Sequence, residues 1–437
     1  LGVLVLTVGS GALERKSRQW QWGRGLLSAL DTPFHNIALV EEREQVTVFA
    51  NGLWLLTEPD PATAEMAVHP VLLQHPDPRR VLIVGRGLAG QVAEVLEHPD
   101  IERVDYVEQD PALVSFVESF LSAAARASLR DPRVRIETQD AGSFLRRRSG
   151  AYDVVLMNVG EPINAQMNRF YTEETFRLLA EHLRRGGILS FSVPGGGDMV
   201  GPTHARLLGS LHQTLLRVFP AVRVVPGERA RFFAAHNETS LLLEPQALAA
   251  RIEARGLDLV HVRWDTLDDL LSPMRRDYLS AVLADFEDSP VNRQFAPVCY
   301  FHGMMVWAAQ WHPAWGGWIE RVAAARPLHL FVGVGALGSL LILGCWLGEP
   351  RYRAAVGGSV LVQGAWGMVL QVVLILGFQI LAGFAYLQLA LILAFFMAGL
   401  AGGTLAIALA SRWWPRTTTA VSWLAVAQVG ITLLPLA

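Results

Sequence analysis

Apolar and polar positions change period along the chain. From His35 to Thr57 they alternate through HNIALVE, QVTVFA and LWLLT, with Asn51 and Gly52 between the last two runs. A period of two broken by an Asn-Gly dipeptide predicts a small antiparallel sheet with a hairpin. Pro59, Pro61, Pro70, Pro76 and Pro78 punctuate the next stretch, leaving room for one helix over about 62–73. From Arg80 onward, short β-rich runs at 81–84, 104–108, 134–137, 154–157 and 188–192 alternate with helical patterns such as QVAEVLEH and EETFRLLAEHLRR. That alternation predicts right-handed crossovers and a parallel, doubly wound sheet. Two later runs, 221–225 and 240–243, would bring it to seven strands, and Gly186 with Gly187 is placed to cap the helix before Ile188.

Beyond about 245 the pattern weakens into amphipathic helices ending in MMVWAAQWHPAWGGWIERV, whose tryptophans suit either an interfacial belt or a core aromatic cluster. From Pro327 to the end the charged residues are Glu349, Arg351, Arg353, Arg412 and Arg416 alone, set between long apolar runs. Four membrane spans are expected there, near 328–347, 354–381, 382–410 and 417–436. Gln363, Gln371, Gln379 and Gln388 suit hydrogen bonds between such helices, and no acid or base lies within the spans to relay protons. At the other end LGVLVLTVGSGAL is too short to span and lacks a charged leader region. It reads as the end of a membrane helix or as a short buried helix.

The expected plan is therefore a membrane-helix end and basic linker (1–32), a small β domain (33–79), a Rossmann-like nucleoside-binding domain (80–255), an amphipathic helical connector (256–326) and a membrane domain (327–437). In fold class this is α/β, with a small N-terminal antiparallel β domain, a Rossmann-like doubly wound sheet and C-terminal transmembrane helices. Lysine and arginine on the two sides of the expected spans nearly balance, so orientation rests on the ligand, which places the non-membrane part in the cytoplasm.

Composition removes several chemistries. A formal net charge of −3 without an arginine stripe argues against nucleic acid. Cys299 and Cys345 stand far apart, which supports neither a disulfide framework nor a thiolate metal site, and scattered histidines give no metal expectation. Lys16 is the only lysine, in a charged linker, which removes Schiff-base catalysis and the Walker-type phosphate lysine.

In a doubly wound sheet the ligand lies at the carboxyl ends of the strands. The first ends in GRGLAG, where Gly85, Gly87 and Gly90 allow a tight turn and close backbone approach. The second ends in YVEQD, placing Glu108 about twenty residues on, where a carboxylate can accept both ribose hydroxyls. The third is followed by TQDAGSF, whose Asp140 is either a purine-amine acceptor or an ordinary helix N-cap. A ribose acid with an adenine acid fits an S-adenosyl nucleoside better than a dinucleotide.

In order, TPFHNIALVE, VFANGLWLLTE, HPVLLQHPDPRRVLIVGRGLAG, VDYVEQDPALV, DPRVRIETQDAGSFLRR, YDVVLMNVGEP and FYTEETFRLLAEHLRRGGILSFS resemble the spermidine synthase (polyamine aminopropyltransferase) family over about 33–250. LSPMRRDYL, NRQFAPVCYFHGMMVWAAQWHP and the apolar tail resemble bacterial membrane-fused members of that group. The resemblance implies transfer of an aminopropyl group from decarboxylated S-adenosylmethionine, a cosubstrate and not a tightly bound cofactor, to an amine. It also implies that the doubly wound sheet is of the S-adenosylmethionine-methyltransferase type, integral location in a bacterial inner membrane with lipid as a partner, and by analogy a homodimer or a subunit of a membrane complex. Glu108 would then bind ribose, Asp140 with Ala141 the adenine, and the three glycines the methionine-derived end.

Departures from the family fall on the acceptor side. Leu88 stands where the family's turn commonly carries an acid. In NVGEP, Asn158 replaces the first acid of the family's D-S/T-S/T-D-P motif, the catalytic base, and Glu161 replaces the second. Removing one partner of a desolvated charge pair costs about 2–5 kcal/mol, and Asn158 accepts no proton at neutral pH. Three readings follow: an aminopropyltransferase with an altered acceptor end and Glu161 as the remaining base, a nucleoside-binding pseudoenzyme or regulatory subunit, or a membrane carrier with a sensor domain.

Overall fold

The computed structural model describes residues 16–311, apart from 44, 148, 149 and 198, together with 364–365, 367–379 and 386–410. The chain divides into two compact units, Leu1–Gly316 and Gly317–Ala437.

The first unit opens with a four-stranded antiparallel sheet in the order β1 (Leu26–Asp31), β2 (Asn36–Glu42), β3 (Gln45–Ala50), β4 (Leu53–Glu58). Strand β1 falls in what reads as linker, because LLSALD does not alternate cleanly. Asn51 at φ 54° and Gly52 at φ 78° form the turn between β3 and β4, the left-handed pair that matches the twist of a two-residue hairpin. The helix Pro61–Leu72 follows, with the Asp60 side chain accepting from the Thr63 N–H at its start.

Seven strands form the second sheet: β5 (Arg80–Val84), β6 (Arg103–Glu108), β7 (Val134–Thr138), β8 (Tyr152–Met157), β9 (Leu183–Gly197), β10 (Ala221–Val225) and β11 (Gly227–Ala235). Their spatial order is β10-β11-β9-β8-β5-β6-β7, with β5 to β9 parallel and β10 and β11 antiparallel. The chain runs outward from β5 through β6 and β7, then returns to β8 on the other side. The crevice beyond the ends of β5 and β8 is therefore the topological switch point. Neighbours along a strand point to opposite faces. Val81, Ile83, Val104, Tyr106, Val154 and Leu156 fill one core layer, and Leu82, Val84, Val107, Val155, Met157 and Phe191 fill the other.

Two details depart from the sequence pattern. The last strand is β11 and not 240–243, because Glu228, Arg229 and Arg231 break the apolar signature of the true strand. The helix Glu173–Glu181 ends at His182, so Gly186 (φ 93°) and Gly187 lie inside β9 rather than capping that helix. Both glycines sit next to the register shift between β8 and β9.

Beyond the sheet, the described chain folds back onto the same unit. Glu65, buried on the helix Pro61–Leu72, accepts the N–H groups of Val260, His261 and Val262. Buried Asn292 donates to Asn168 Oδ1 and the Tyr171 carbonyl and accepts the Cys299 N–H. In the helix Val298–Trp311, which begins the tryptophan-rich segment, Cys299, Met305 and Val306 are buried.

The expected C-terminal transmembrane helices are corrected by the structure. Among the described residues no helix is long and apolar enough to cross a membrane. A run of apolar letters reports aggregate hydropathy, whereas a crossing takes about 20 consecutive apolar residues in one helix. In the second unit, helix is described at 367–379 and Tyr386–Ala410, the latter with side chains described without a break only over 390–406. The spans expected near 328–347 and 417–436, and the N-terminal stretch 1–13, lie outside the described residues. The inner-membrane localisation, the lipid partner and the cytoplasmic orientation derived from those spans are withdrawn with them.

Candidate functional site

The GRGLAG turn is shaped by contacts that leave no room for side chains. Gly85 adopts φ 71° and donates its N–H to the Val107 carbonyl at 3.1 Å. A Cβ there would meet the Asn158 carbonyl oxygen at 3.0 Å, so the turn is pinned against the end of β8. Gly90, at φ 78°, leads into the helix Gln91–Leu96. Between them Arg86 holds φ 48°, a conformation that costs a non-glycine residue about 1–2 kcal/mol.

Glu108 ends β6 beside this turn. One carboxylate oxygen accepts the Asp110 N–H at 3.3 Å. Burial pushes its pKa up, while the charge of His35 and backbone N–H groups of Asp110 and Gln109 pull in the other direction. Tyr106, two residues earlier and fully buried, has a hydroxyl without a hydrogen bond. Its pKa is raised by burial and by the nearby Glu108. Buried Asp110 caps the helix Pro111–Glu118 through the Ala112 and Leu113 N–H groups, and accepts from the Thr32 hydroxyl at 2.5 Å and His35 Nδ1 at 3.0 Å. Burial works upward on Asp110, yet the His35 and Thr32 hydrogen bonds hold its pKa below the ordinary value. Thr32, His35 and Asp110 thus tie the N-terminal sheet to the Glu108 strand end. Sequence reasoning missed this trio; the Asp-Pro helix start in QDPALV was the available signal for Asp110.

Asp140 takes the N-cap position weighed above. Its Oδ2 accepts the Ser143 N–H at 3.0 Å, and its Oδ1 lies 2.5 Å from Arg169 Nη2. Ala141 is buried at the start of the helix Ala141–Arg147. A purine amine at this carboxylate would compete with Arg169.

At the end of β8, the Asn158 side chain donates to Gln91 Oε1 at 2.6 Å. Glu161 pairs with Arg229 Nη1 at 2.8 Å, and Arg229 also donates to the hydroxyl and carbonyl of Ser192. Arg86 lies with its guanidinium 4.9 Å from the Trp54 ring centre, and burial holds its pKa down to about 10, with Arg229 adding to the effect. Leu88 does not line an opening: it is 2% exposed and belongs to the core layer of Val92, Tyr106 and Leu113. The structure therefore gathers the glycine turn, Glu108 and Asn158 at one crevice. Glu161 joins them through its arginine, and Leu88 lies beneath.

Away from the crevice, His69, Glu94 and Glu97 offer ligand atoms within 4.8 Å of one another. Both His69 nitrogens are engaged, Nδ1 with His98 at 2.9 Å and Nε2 with Glu94 at 2.8 Å. Arg255 donates to His98 Nδ1 at 3.1 Å, so His98 carries its proton on Nε2 and passes it toward His69. As placed, the group is a hydrogen-bonded chain.

Residues 60–200 match the family model described as a spermine/spermidine synthase domain. The polyamine aminopropyltransferase of Bacillus subtilis (strain 168) is 31% identical over 159 residues, covering 36% of this chain and 57% of the relative. That of Thermoanaerobacter sp. (strain X514) is 34% identical over 160 residues, again covering 36% and 57%. The Nitrosomonas europaea enzyme is 27% identical over 241 residues, covering 53% and 72%. The chain thus spans little more than half the length of the first of these relatives. Among solved structures, spermidine synthase from Thermotoga maritima aligns at 19% identity with a TM-score of 0.49, covering 59% of this chain and 87% of that one. Residues 60–200 of the chain are therefore similar to the spermine/spermidine synthase domain, and its curated relatives over that stretch are polyamine aminopropyltransferases.

Proposed function

We propose that the crevice binds decarboxylated S-adenosylmethionine or a related adenosyl nucleoside and that the chain is an aminopropyltransferase with an altered acceptor end. The observation that carries this reading is Glu108: a half-buried carboxylate at the switch point, with no arginine ion pair among the described residues, beside a glycine turn closed by Tyr106 and Asn158. Desolvation disfavours its charge, and ribose hydroxyls would supply donors beyond the backbone N–H groups it already accepts. Asp140 and Ala141 would bound the adenine side, and Gly85, Gly87 and Gly90 the tail.

Transfer is an in-line attack by an amine on the carbon next to a sulfonium, so a group must take the amine proton. Asn158 cannot, and its amide is already given to Gln91. Glu161 is the remaining base, and it must first release Arg229. That engagement of both residues favours a second reading, a nucleoside-binding protein without turnover.

Calorimetry of the full chain with methylthioadenosine tests the nucleoside site. Micromolar-range binding is expected, with Glu108→Gln weakening it at least tenfold while thermal stability holds or rises, since a charge disfavoured by burial is removed. Unchanged affinity in Glu108→Gln would refute the assignment. Product analysis with decarboxylated S-adenosylmethionine and putrescine separates the two readings, because turnover by the unmodified chain excludes the inactive one.

A further inference from the structure

Basic side chains gather where an ordinary acceptor diamine would need acids. Arg86 comes from the glycine turn. Arg229 and Arg231 sit two apart on β11 and so share one face of the sheet. Glu161 is ion-paired to Arg229 and its charge reaches Arg86, while Arg231 feels Arg229 but no acid, which leaves the group a surplus of positive charge. Each arginine is held by few, mostly neutral contacts. Arg231 donates to the Ala67 carbonyl at 3.2 Å, and Arg229 uses Ser192 besides Glu161. Arg86 reaches only the Trp54 carbonyl, at 3.5 Å, and its buried Nε has no hydrogen-bond partner.

Burial holds the pKa values of both Arg86 and Arg231 down to about 10, and the charge of Arg229 adds to it. At neutral pH Arg86 and Arg231 stay protonated. They are the desolvated members, each with the exposed Arg229 as a like-charged neighbour, an arrangement that is costly unless a counter-charge arrives. Arg86 adds a backbone strain that its glycine neighbours avoid. Strain, stacking on Trp54 and an unused buried donor in one residue are the features of a side chain set to meet a ligand.

We infer that Arg86, Arg229 and Arg231 form a carboxylate-binding subsite at the acceptor side of the nucleoside crevice, so that the ligand engaged there bears a carboxylate that the ordinary diamine lacks. This rests on the nucleoside reading above and deepens it. The guanidinium fork matches a carboxylate in shape as well as in charge. Two sources supply that group: the amino-acid tail of S-adenosylmethionine itself, or an acceptor amine bearing a carboxylate. A second ammonium with no carboxylate beside it meets repulsion from the same residues, in keeping with an amide at Asn158 where the family motif carries an acid.

The test is calorimetry on the full chain with two matched probe pairs. S-adenosylmethionine is compared with its decarboxylated form, and ornithine is compared with putrescine while methylthioadenosine saturates the nucleoside site. The carboxylated member of one pair is expected to bind at least about tenfold more tightly. A preference in the first pair puts the carboxylate on the nucleoside tail, and one in the second puts it on the acceptor. Arg231→Gln, on β11 and outside the glycine turn, should weaken the preference at least about tenfold and leave methylthioadenosine affinity intact. Glu161→Gln should enlarge the preference, a response that general destabilisation cannot produce. Methylthioadenosine binding without preference for either carboxylated probe overturns this inference alone. Absence of methylthioadenosine binding overturns the nucleoside reading and the subsite with it.

Discussion

Gly87→Ala isolates the contact on which the crevice depends. Gly87 is not held in the left-handed region, so alanine meets no backbone penalty there, and the whole effect is steric. An added Cβ would lie 2.5 Å from Tyr106 Cδ2, 2.6 Å from Cε2 and 2.9 Å from Cγ. Ordinary carbon contacts are about 3.5–4.0 Å, so the ring or the turn must retreat by roughly 1 Å. Tyr106 is fully buried within a core layer and has no free direction of movement. Overpacking of this kind costs about 1–3 kcal/mol, or roughly 2–4 °C in Tm for each kcal/mol in a domain of some 150–250 residues. Moving the ring also moves Glu108 two residues away, so methylthioadenosine affinity should fall about fivefold or more. Differential scanning fluorimetry with and without methylthioadenosine reads both effects. Pairing the substitution with Tyr106→Val should recover part of the loss, giving non-additivity in a double-mutant cycle. A variant with unchanged Tm and unchanged affinity would refute the close approach of turn and ring.

Two further outcomes concern the buried histidine chain. Burial, and then the charges of His69 and Arg255, hold the His98 pKa down from 6.5 to about 2. Below pH 6.5 the unfolded chain takes a proton at His98 that the folded chain refuses, so stability is full above 6.5 and falls as pH drops, by up to about 1.4 kcal/mol per unit. Urea midpoints between pH 7.5 and 5.0 should show this slope, and His98→Gln should flatten it; equal slopes would exclude His98 as the source. Arg255 donates to the carbonyls of Leu72, His75 and Pro76 as well as to His98. Arg255→Met, which strands these acceptors, should cost about 2–4 kcal/mol in a urea titration with an unchanged slope, and a loss below about 0.5 kcal/mol would mean that water replaces the guanidinium.

The sequence was most informative where local geometry dictates the letters. Alternation with Asn51-Gly52 marks the hairpin because that turn needs two residues at positive φ. The runs at 81–84, 104–108 and 154–157 are legible as strands because a parallel sheet buried on both faces is apolar throughout. Their ends then pick out Gly85, Glu108 and Asn158 without any coordinates. Strand β11 was illegible for the opposite reason: Glu228, Arg229 and Arg231 interrupt its apolar signature and look like a loop in a one-dimensional pattern. The transmembrane expectation is corrected on a separate ground: among the described residues no helix is long and apolar enough to cross a membrane.

By itself, then, the chain determined its doubly wound sheet, its glycine turn and the acid at the end of β6, because each follows from backbone periodicity and φ preference within a few residues. Only the tertiary structure decided what those groups touch. It engages Asp140 with Arg169 and Ser143, gives Asn158 to Gln91, sinks Leu88 into the core, and brings Arg86 within electrostatic reach of Arg229 across the crevice. Partners tens of positions apart, and more than a hundred for Arg86 and Arg229, leave no period in a sequence, and charge balance at a site exists only once the strands that carry the charges are side by side.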